Sequence, residues 1–333
     1  MTTKKTISLA DIEMKDYLAT KERIRCGITP IDKLLSGGFA TGEIVQLVGE
    51  THTGKTTLSL QIAYNFCKQG KNVLFIDAKG DITPELLQQQ LLMNYHKKQF
   101  FYVKEDVFTE VEKQLDKFIA TGEIDLIIID SLPSLINGRV IKLDSNKKIT
   151  ADNKNTNAGT KPLIHITNKL KKLSMQYGIC LLFISEFREK VDRLRGSIDK
   201  VFGPKCLSYE SSSIIQVKKI TSFTNSCFKD KFSSLEDLNI GVSDEFKQLK
   251  GNSLKPLSEI PFFFEYGIGY HDKYCLIWNM LQEEKIIQSR SYYEYHGIKE
   301  NGLANFIQAL DKSGLLNALL ENERENKMLS QYD

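Results

Sequence analysis

The stretch from Ile44 to Thr57, IVQLVGETHTGKTT, decides the fold. Its first five residues form a short, mostly apolar run that ends at Gly49, the pattern of a buried strand. Gly49, Glu50, Thr51, His52, Thr53, Gly54, Lys55 and Thr56 then satisfy GxxxxGK[ST], with Thr57 completing the candidate set of ligand contacts. The continuation TLSLQIAYNFCKQG carries Leu58, Ile62 and Phe66 at near-helical spacing, and Gly70 supplies a stop. Strand, glycine-rich loop and helix in that order are the context a phosphate-binding loop requires. Glycines let the backbone curl so that successive N–H groups face phosphate oxygens, assisted by the positive end of the helix. Lys55 is expected to reach the β- and γ-phosphates, and the Thr56 hydroxyl to ligate Mg²⁺.

Working outward, the alternation continues. Val73 to Asp77 (VLFID) reads as a strand, Pro84 to Met93 as a helix, Phe100 to Val103 as a strand and Val107 to Ala120 as a helix. The wholly apolar run Leu126 to Ile129 then leads into Asp130. A helix from Pro162 to Tyr177 and strands at Ile179 to Ser185 and Ser213 to Val217 follow. Continuous apolar strands separated by amphipathic helices indicate an α/β fold with a mainly parallel sheet covered on both faces. Asp130 ends its strand where nucleotide-hydrolysing enzymes hold an acid on the Mg²⁺ side. The alternative for Asp130 is an N-cap or Asx turn, because Ser131, Pro133 and Ser134 follow.

Two polar stretches interrupt the rhythm. Residues 137–161 contain six basic and two acidic side chains, and residues 189–205 five and three. Both read as long loops, which in a compact domain are functional or disordered. Residues 221–261 are Ser-rich and irregular in pattern. From Tyr270 the pattern changes to a helix over Lys273 to Gln282 and two short strands, Lys285 to Gln288 and Tyr292 to Tyr295, turning at His296-Gly297. Terminal helices then run through Leu320. This reads as a small α+β domain over 270–333, with a boundary near Gly269.

Composition excludes several classes. With 41% hydrophobic, 26% charged and 10% aromatic residues, the 333-residue chain lies away from disordered and collagen-like extremes. No run approaches the ~18 apolar residues of a membrane span, and the start lacks a secretory h-region. The expected location is therefore intracellular, with no membrane partner. Six cysteines without a CxxC pair argue against a zinc site or a disulfide framework. The net charge of +3 looks uninformative, but the two polar stretches together hold +6 and leave the remainder at −3.

Beyond the phosphate loop, the chain resembles the RecA family of strand-exchange recombinases. TPIDKLLSGGFATGEIVQLVG (residues 29–49), FIDAKGDITPELL (75–87) and IDLIIIDSLPSL (124–135) are similar to successive blocks of that ATPase core. KGNSLKPLSEIPFFFEYGIG (250–269) resembles the segment that closes the core in bacterial members, and EEKIIQSRSYYEYHGIKENGLANFIQAL (283–310) their small C-terminal domain. The resemblance implies a RecA-like core over 25–269 and a short N-terminal segment, 1–24, that is a candidate subunit contact. It implies ATP and Mg²⁺ as ligands, single-stranded DNA and candidate double-stranded DNA as partners, and self-association into a filament or other homo-oligomer. The polar stretches become DNA-binding loops, with Arg139, Lys142, Lys147, Lys148 and Lys154 in the first. Lys190, Arg193, Arg195, Lys200 and Lys205 belong to the second. Lys250 and Tyr266 correspond to nucleotide contacts, Lys250 to one that reaches the neighbouring subunit.

Departures from the family pattern bear on catalysis. Where active members place an acid that orients the attacking water, this chain has Lys79. An ammonium group only donates hydrogen bonds, so it cannot accept the proton of water. Hydrolysis is then slow, or another acid substitutes, with Asp81, Asp77 and Glu186 as candidates. Lys79 reads either as a counter-ion to the γ-phosphate or as a surface lysine. Glu186 stands where the family has a γ-phosphate-sensing amide, and a Lys79–Glu186 pairing is one expectation. Asn252 replaces a second lysine that contacts the neighbouring nucleotide. Two functions follow from the resemblance: an ATP-dependent recombinase assembling on single-stranded DNA, or a weakly hydrolysing paralogue serving as mediator for a partner recombinase.

Overall fold

The computed structural model describes residues 23–90, 92–95, 98–135, 160–192, 196–201, 205–218, 220–222, 240–243, 246–250, 262–265, 269–270 and 272–320. A short antiparallel pair, β1 (Arg23–Ile24) and β2 (Phe39–Ala40), brackets helix α1 (Thr29–Leu34). The expected strand, loop and helix follow as β3 (Ile44–Gly49) and α2 (Lys55–Lys68). The alternation continues through β4 (Val73–Asp77), α3 (Pro84–Gln89), β5 (Phe100–Lys104) and α4 (Phe108–Ile119). After β6 (Leu126–Asp130) come α5 (Thr160–Tyr177) and β7 (Cys180–Asp192). Next are β8 (Gly196–Val201), α6 (Lys205–Glu210) and β9 (Ser213–Val217).

Strands β9, β3, β7, β6, β4 and β5 lie side by side in that order and pair parallel throughout. The architecture is that of an α/β domain with a mainly parallel central sheet, as its apolar strands require. Each residue of β3, β4 and β6 is buried, because helices cover both faces. Alternate side chains serve opposite faces: Val73, Phe75, Leu126 and Ile128 pack with the α2 side, whereas Leu74, Ile76, Ile127 and Ile129 pack toward α4 and α5. Each such buried side chain contributes about 1.5–3 kcal/mol.

Register then sets the positions of the strand tips. Gly49 lies opposite Glu186, and Asp77 opposite Asp130, so these four residues come together along the carboxyl edge of the parallel sheet. A crevice at the carboxyl ends of parallel strands is where α/β sheets bind ligands.

Three expectations are corrected. The polar stretch 189–205 is not a simple loop: β7 continues past the sheet and pairs antiparallel with β8, from Phe187 opposite Val201 to Asp192 opposite Gly196. A two-stranded ribbon needs no continuous apolar face, so its charged sequence hid it. The irregular region 221–261 contributes strands too. β10 (Ile220–Ser222), β11 (Ile240–Ser243), β13 (Phe262–Glu265) and β14 (Gly269–Tyr270) form an antiparallel sheet in that order, while β12 (Phe246–Lys250) joins the edge of the central sheet beside β9. The helix read over 84–93 stops at Gln89 and resumes as a 3₁₀ turn over Leu92–Tyr95.

The C-terminal portion comprises α7 (Asp272–Gln282), β15 (Ile287–Ser289), β16 (Tyr292–Tyr295), β17 (Ile298–Asn301) and α8 (Leu303–Lys312). The three strands form a small antiparallel sheet, one strand more than expected. His296 and Gly297 turn β16 into β17 with φ of 47° and 79°, the paired positive values a tight hairpin favours. Phe263, Trp278, Phe306 and Leu310 share its apolar cluster. The side chain of Gln61, on α2, bonds both the N–H (2.8 Å) and the carbonyl (2.6 Å) of Tyr270, tying the loop's helix to β14. Among the described residues no helix is long and apolar enough to cross a membrane.

Candidate nucleotide-binding site

The loop between β3 and α2 is shaped by close backbone packing. A Cβ on Gly49 would stand 2.2 Å from the Val217 carbonyl oxygen, so only glycine lets β3 finish against β9. His52 (φ 60°) and Gly54 (φ 80°) take left-handed backbone conformations that curl the loop toward the first turn of α2. The Thr53 hydroxyl donates to the Glu50 carbonyl at 3.0 Å and closes the curl.

Lys55 is buried within this curl. Its ammonium donates to the carbonyls of Gly49 (3.1 Å) and Glu50, and to the Thr53 hydroxyl (3.2 Å). Burial pulls its pKa below the usual lysine value, while the charges of Glu186 and Asp130 oppose that fall. At the start of α2 the Thr56 hydroxyl donates to a carboxylate oxygen of Asp130 at 2.7 Å. Asp130 is buried at the tip of β6, and burial pushes its pKa up to about 6. The Asp77 charge adds to the rise, whereas the Thr56 bond, Lys79 and Lys55 restrain it. A hydroxyl and a carboxylate converging beside a phosphate loop are hard oxygen donors of the kind Mg²⁺ takes together with substrate phosphates. The residues present therefore fit that ion.

One cleft gathers Thr51, His52, Thr53, Gly54, Lys55, Thr56 and Thr57 from the loop with Lys79, Asp130 and Glu186 from the tips of β4, β6 and β7. Ser131 and Ile184 also line it. The sequence reading omitted both. Ile184 lies two residues before Glu186 on the same strand and so shares its side of the sheet, which is the signal that would have found it.

Lys79 makes its ion pair with Asp81, at 2.8 Å, rather than with Glu186. The hydrogen bond that Lys79 donates to Asp81 raises its pKa, opposed by partial burial and assisted at longer range by Glu186 and Asp130. Asp77 is buried and accepts from the N–H groups of Gly80 (2.6 Å) and Ile82 (3.2 Å) and from the Tyr102 hydroxyl (2.7 Å). Among the described residues, the Glu186 side chain receives no hydrogen bond and forms no ion pair.

Other expected contacts lie apart. Lys250, on β12, is exposed and donates to the carbonyls of Ser208 (2.9 Å) and Tyr209 (2.7 Å), outside the cleft. Tyr266, Asn252, Arg139, Lys142, Lys147, Lys148, Lys154, Arg193 and Arg195 fall outside the described residues. Lys190 and Lys200 sit on the arms of the β7–β8 hairpin and Lys205 opens α6, their side chains likewise outside the description.

The model of the RecA N-terminal domain matches residues 8–269. Protein RecA of Ehrlichia canis is 25% identical over 279 residues, covering 84% of this chain and 73% of that protein. Protein RecA of Marinobacter nauticus is 25% identical over 296 residues, covering 88% and 78%. Protein RecA of Borrelia duttonii is 24% identical over 340 residues, covering 97% and 88%.

Proposed function

Because the chain belongs to the RecA family, we propose that it is an ATP-dependent, single-stranded-DNA-binding recombinase that assembles on DNA and promotes homologous pairing and strand exchange. The observation that carries this reading is the convergence of Lys55, Thr56, Asp130 and Glu186 in one cleft at the tips of parallel strands. ATP occupies that cleft in the proposal, its β- and γ-phosphates against Lys55 and the loop N–H groups, with Thr56 and Asp130 holding Mg²⁺. When bound there, the ion would neutralise phosphate charge. Lys250 serves a neighbouring subunit's nucleotide, Tyr266 is a further nucleotide contact, and the 1–24 segment contributes to subunit contact. Residues 25–269 form the ATPase core and 270–333 a small second domain.

DNA lies against the basic residues of 137–161 and 189–205, which neutralise phosphates. Double-stranded DNA is the second candidate nucleic acid, and the working location is the cytoplasm or nucleoid. ATP hydrolysis is DNA-dependent and slow, because position 79 holds a lysine tied to Asp81.

ATP-dependent binding of the full chain to a fluorescent single-stranded oligonucleotide tests the reading, with affinity falling steeply as salt rises. Neutralising Lys190, Arg193, Arg195 and Lys200 together is expected to lower the affinity and reduce the logarithmic salt slope by about 3. An unchanged slope removes the charge assignment. The ion pair at Lys79 favours a second reading, a mediator that binds ATP and DNA without exchanging strands. Electron microscopy with ATP and single-stranded DNA, paired with a strand-exchange assay, separates the two. Helical filaments with exchange support the recombinase, and short assemblies without exchange the mediator.

A further inference from the structure

Resting on the ATP-binding reading above, we propose that Glu186 is the catalytic base of ATP hydrolysis in this chain, the carboxylate that takes the proton of the attacking water. Hydrolysis needs an acceptor within reach of that water, and the structure narrows the choice among nearby acids. Asp77 is buried and holds three donors, from Gly80, Ile82 and Tyr102, so its oxygens are committed to the turn after β4. Asp81 is well exposed, pairs with Lys79 at 2.8 Å and does not line the cleft. Asp130 accepts from Thr56 and belongs to the Mg²⁺ side. Glu50 contributes its backbone carbonyl to Lys55 and its side chain is exposed.

Glu186 differs from all four. It lines the cleft, stands opposite Gly49 in the register of β3 and β7, and among the described residues its side chain has neither hydrogen bond nor ion pair. Lys55 and Lys79 line the same cleft, and their positive charges offset the repulsion between the glutamate and anionic phosphates. In the proposed step the water oxygen bonds to the γ-phosphorus while Glu186 accepts one of its protons. The bond from that phosphorus to the β,γ-bridging oxygen breaks, its electron pair leaving on ADP. Glu186 then releases the proton to solvent, giving ADP, inorganic phosphate and one proton from ATP and water.

The test uses the full-length chain with three measurements: binding of a fluorescent ATP analogue with Mg²⁺, ATP-dependent binding to single-stranded DNA, and phosphate release with DNA present. Glu186→Gln is isosteric and is expected to lower phosphate release about 100-fold or more, while both binding measurements stay within about threefold of wild type. Glu186→Asp keeps the carboxylate and is expected to retain intermediate turnover. Wild-type turnover in Glu186→Gln, accompanied by its loss in Asp81→Asn or Asp77→Asn, overturns the assignment. Loss of ATP binding together with turnover in Glu186→Gln also overturns it, because the residue would then serve binding. A wild-type chain that binds ATP and DNA without releasing phosphate sinks the inference and leaves the ATP-binding reading standing. A wild-type chain that fails to bind ATP sinks that reading itself.

Discussion

At the tip of β4, Asp77 accepts three hydrogen bonds and Lys79 pairs with Asp81, whereas at the tip of β7 Glu186 takes no partner among the described residues. Asp77 ends β4, whereas Glu186 is where β7 leaves the central sheet, and both places face the same cleft through Lys79 and Glu186. The β4 tip has committed its polar groups to holding its own turn. The β7 tip has left a carboxylate available beside the phosphate loop. A carboxylate's chemistry depends on which of its acceptor sites the fold has already filled, and by that measure these two acids have different work.

Equilibrium unfolding can break this comparison most sharply. Asp77→Ala orphans the N–H groups of Gly80 and Ile82 and the Tyr102 hydroxyl, so it is expected to destabilise the fold by about 4 kcal/mol in urea titrations. Glu186→Ala, lacking such partners, is expected to change stability by less than about 1 kcal/mol. Equal losses would erase the distinction. The tip of β3 is limited by backbone instead: Gly49→Ala drives a Cβ into the Val217 carbonyl, with an expected loss of about 2–3 kcal/mol and weaker binding of the ATP analogue.

Asp32 extends the comparison to pH. Although the residue keeps some solvent contact, its carboxyl lies under the entry loop and accepts from the N–H groups of Cys26 (2.8 Å) and Gly27 (3.1 Å). Burial raises its pKa to about 7, restrained by the Cys26 bonds and assisted by the Asp272 charge. A carboxyl with a raised folded-state pKa contributes stability that is fully present below its unfolded value and lost as pH rises. The contribution therefore falls between about pH 4 and pH 7. Asp32→Asn is expected to flatten the wild-type decline in urea midpoint over that window, by about 1–2 kcal/mol. An unchanged slope would show that Asp32 ionises as easily folded as unfolded. The smallest expected effect belongs to Asp81→Asn: its exposed pair with Lys79 is worth no more than about 0.5 kcal/mol in the same titration.

Much of the central sheet was legible because its signals are local. Val73 to Ile76 and Leu126 to Ile129 are apolar on both faces of the strand, and both faces are covered. The GxxxxGK[ST] spacing likewise predicts a loop whose shape depends on neighbouring backbone, and Lys55 and Thr56 lie together where it ends. The β7–β8 hairpin was missed because a ribbon projecting past the sheet carries charge on its arms and lacks a strand's apolar signature. Residues 221–261 were read as irregular for a related reason: β11 and β12 find their partners in β13 and β9, and pairing over such separations leaves little local pattern. The Lys79–Glu186 pairing failed because a nearer carboxylate, two residues along the chain, already occupies Lys79.

Sequence alone determined the strand, phosphate loop and helix, the parallel α/β class and the resemblance that the family match supports. These rest on periodicity and on residue types whose mechanics operate within a few positions. Only the tertiary structure decided that Gly49 meets Glu186 and Asp77 meets Asp130 across the sheet, that Thr56 reaches Asp130, and that the Asp77 side chain holds three hydrogen bonds while the Glu186 side chain holds none among the described residues. Hydrogen-bond occupancy is a property of residues brought together from distant parts of the chain, so it cannot be read from any one stretch of it.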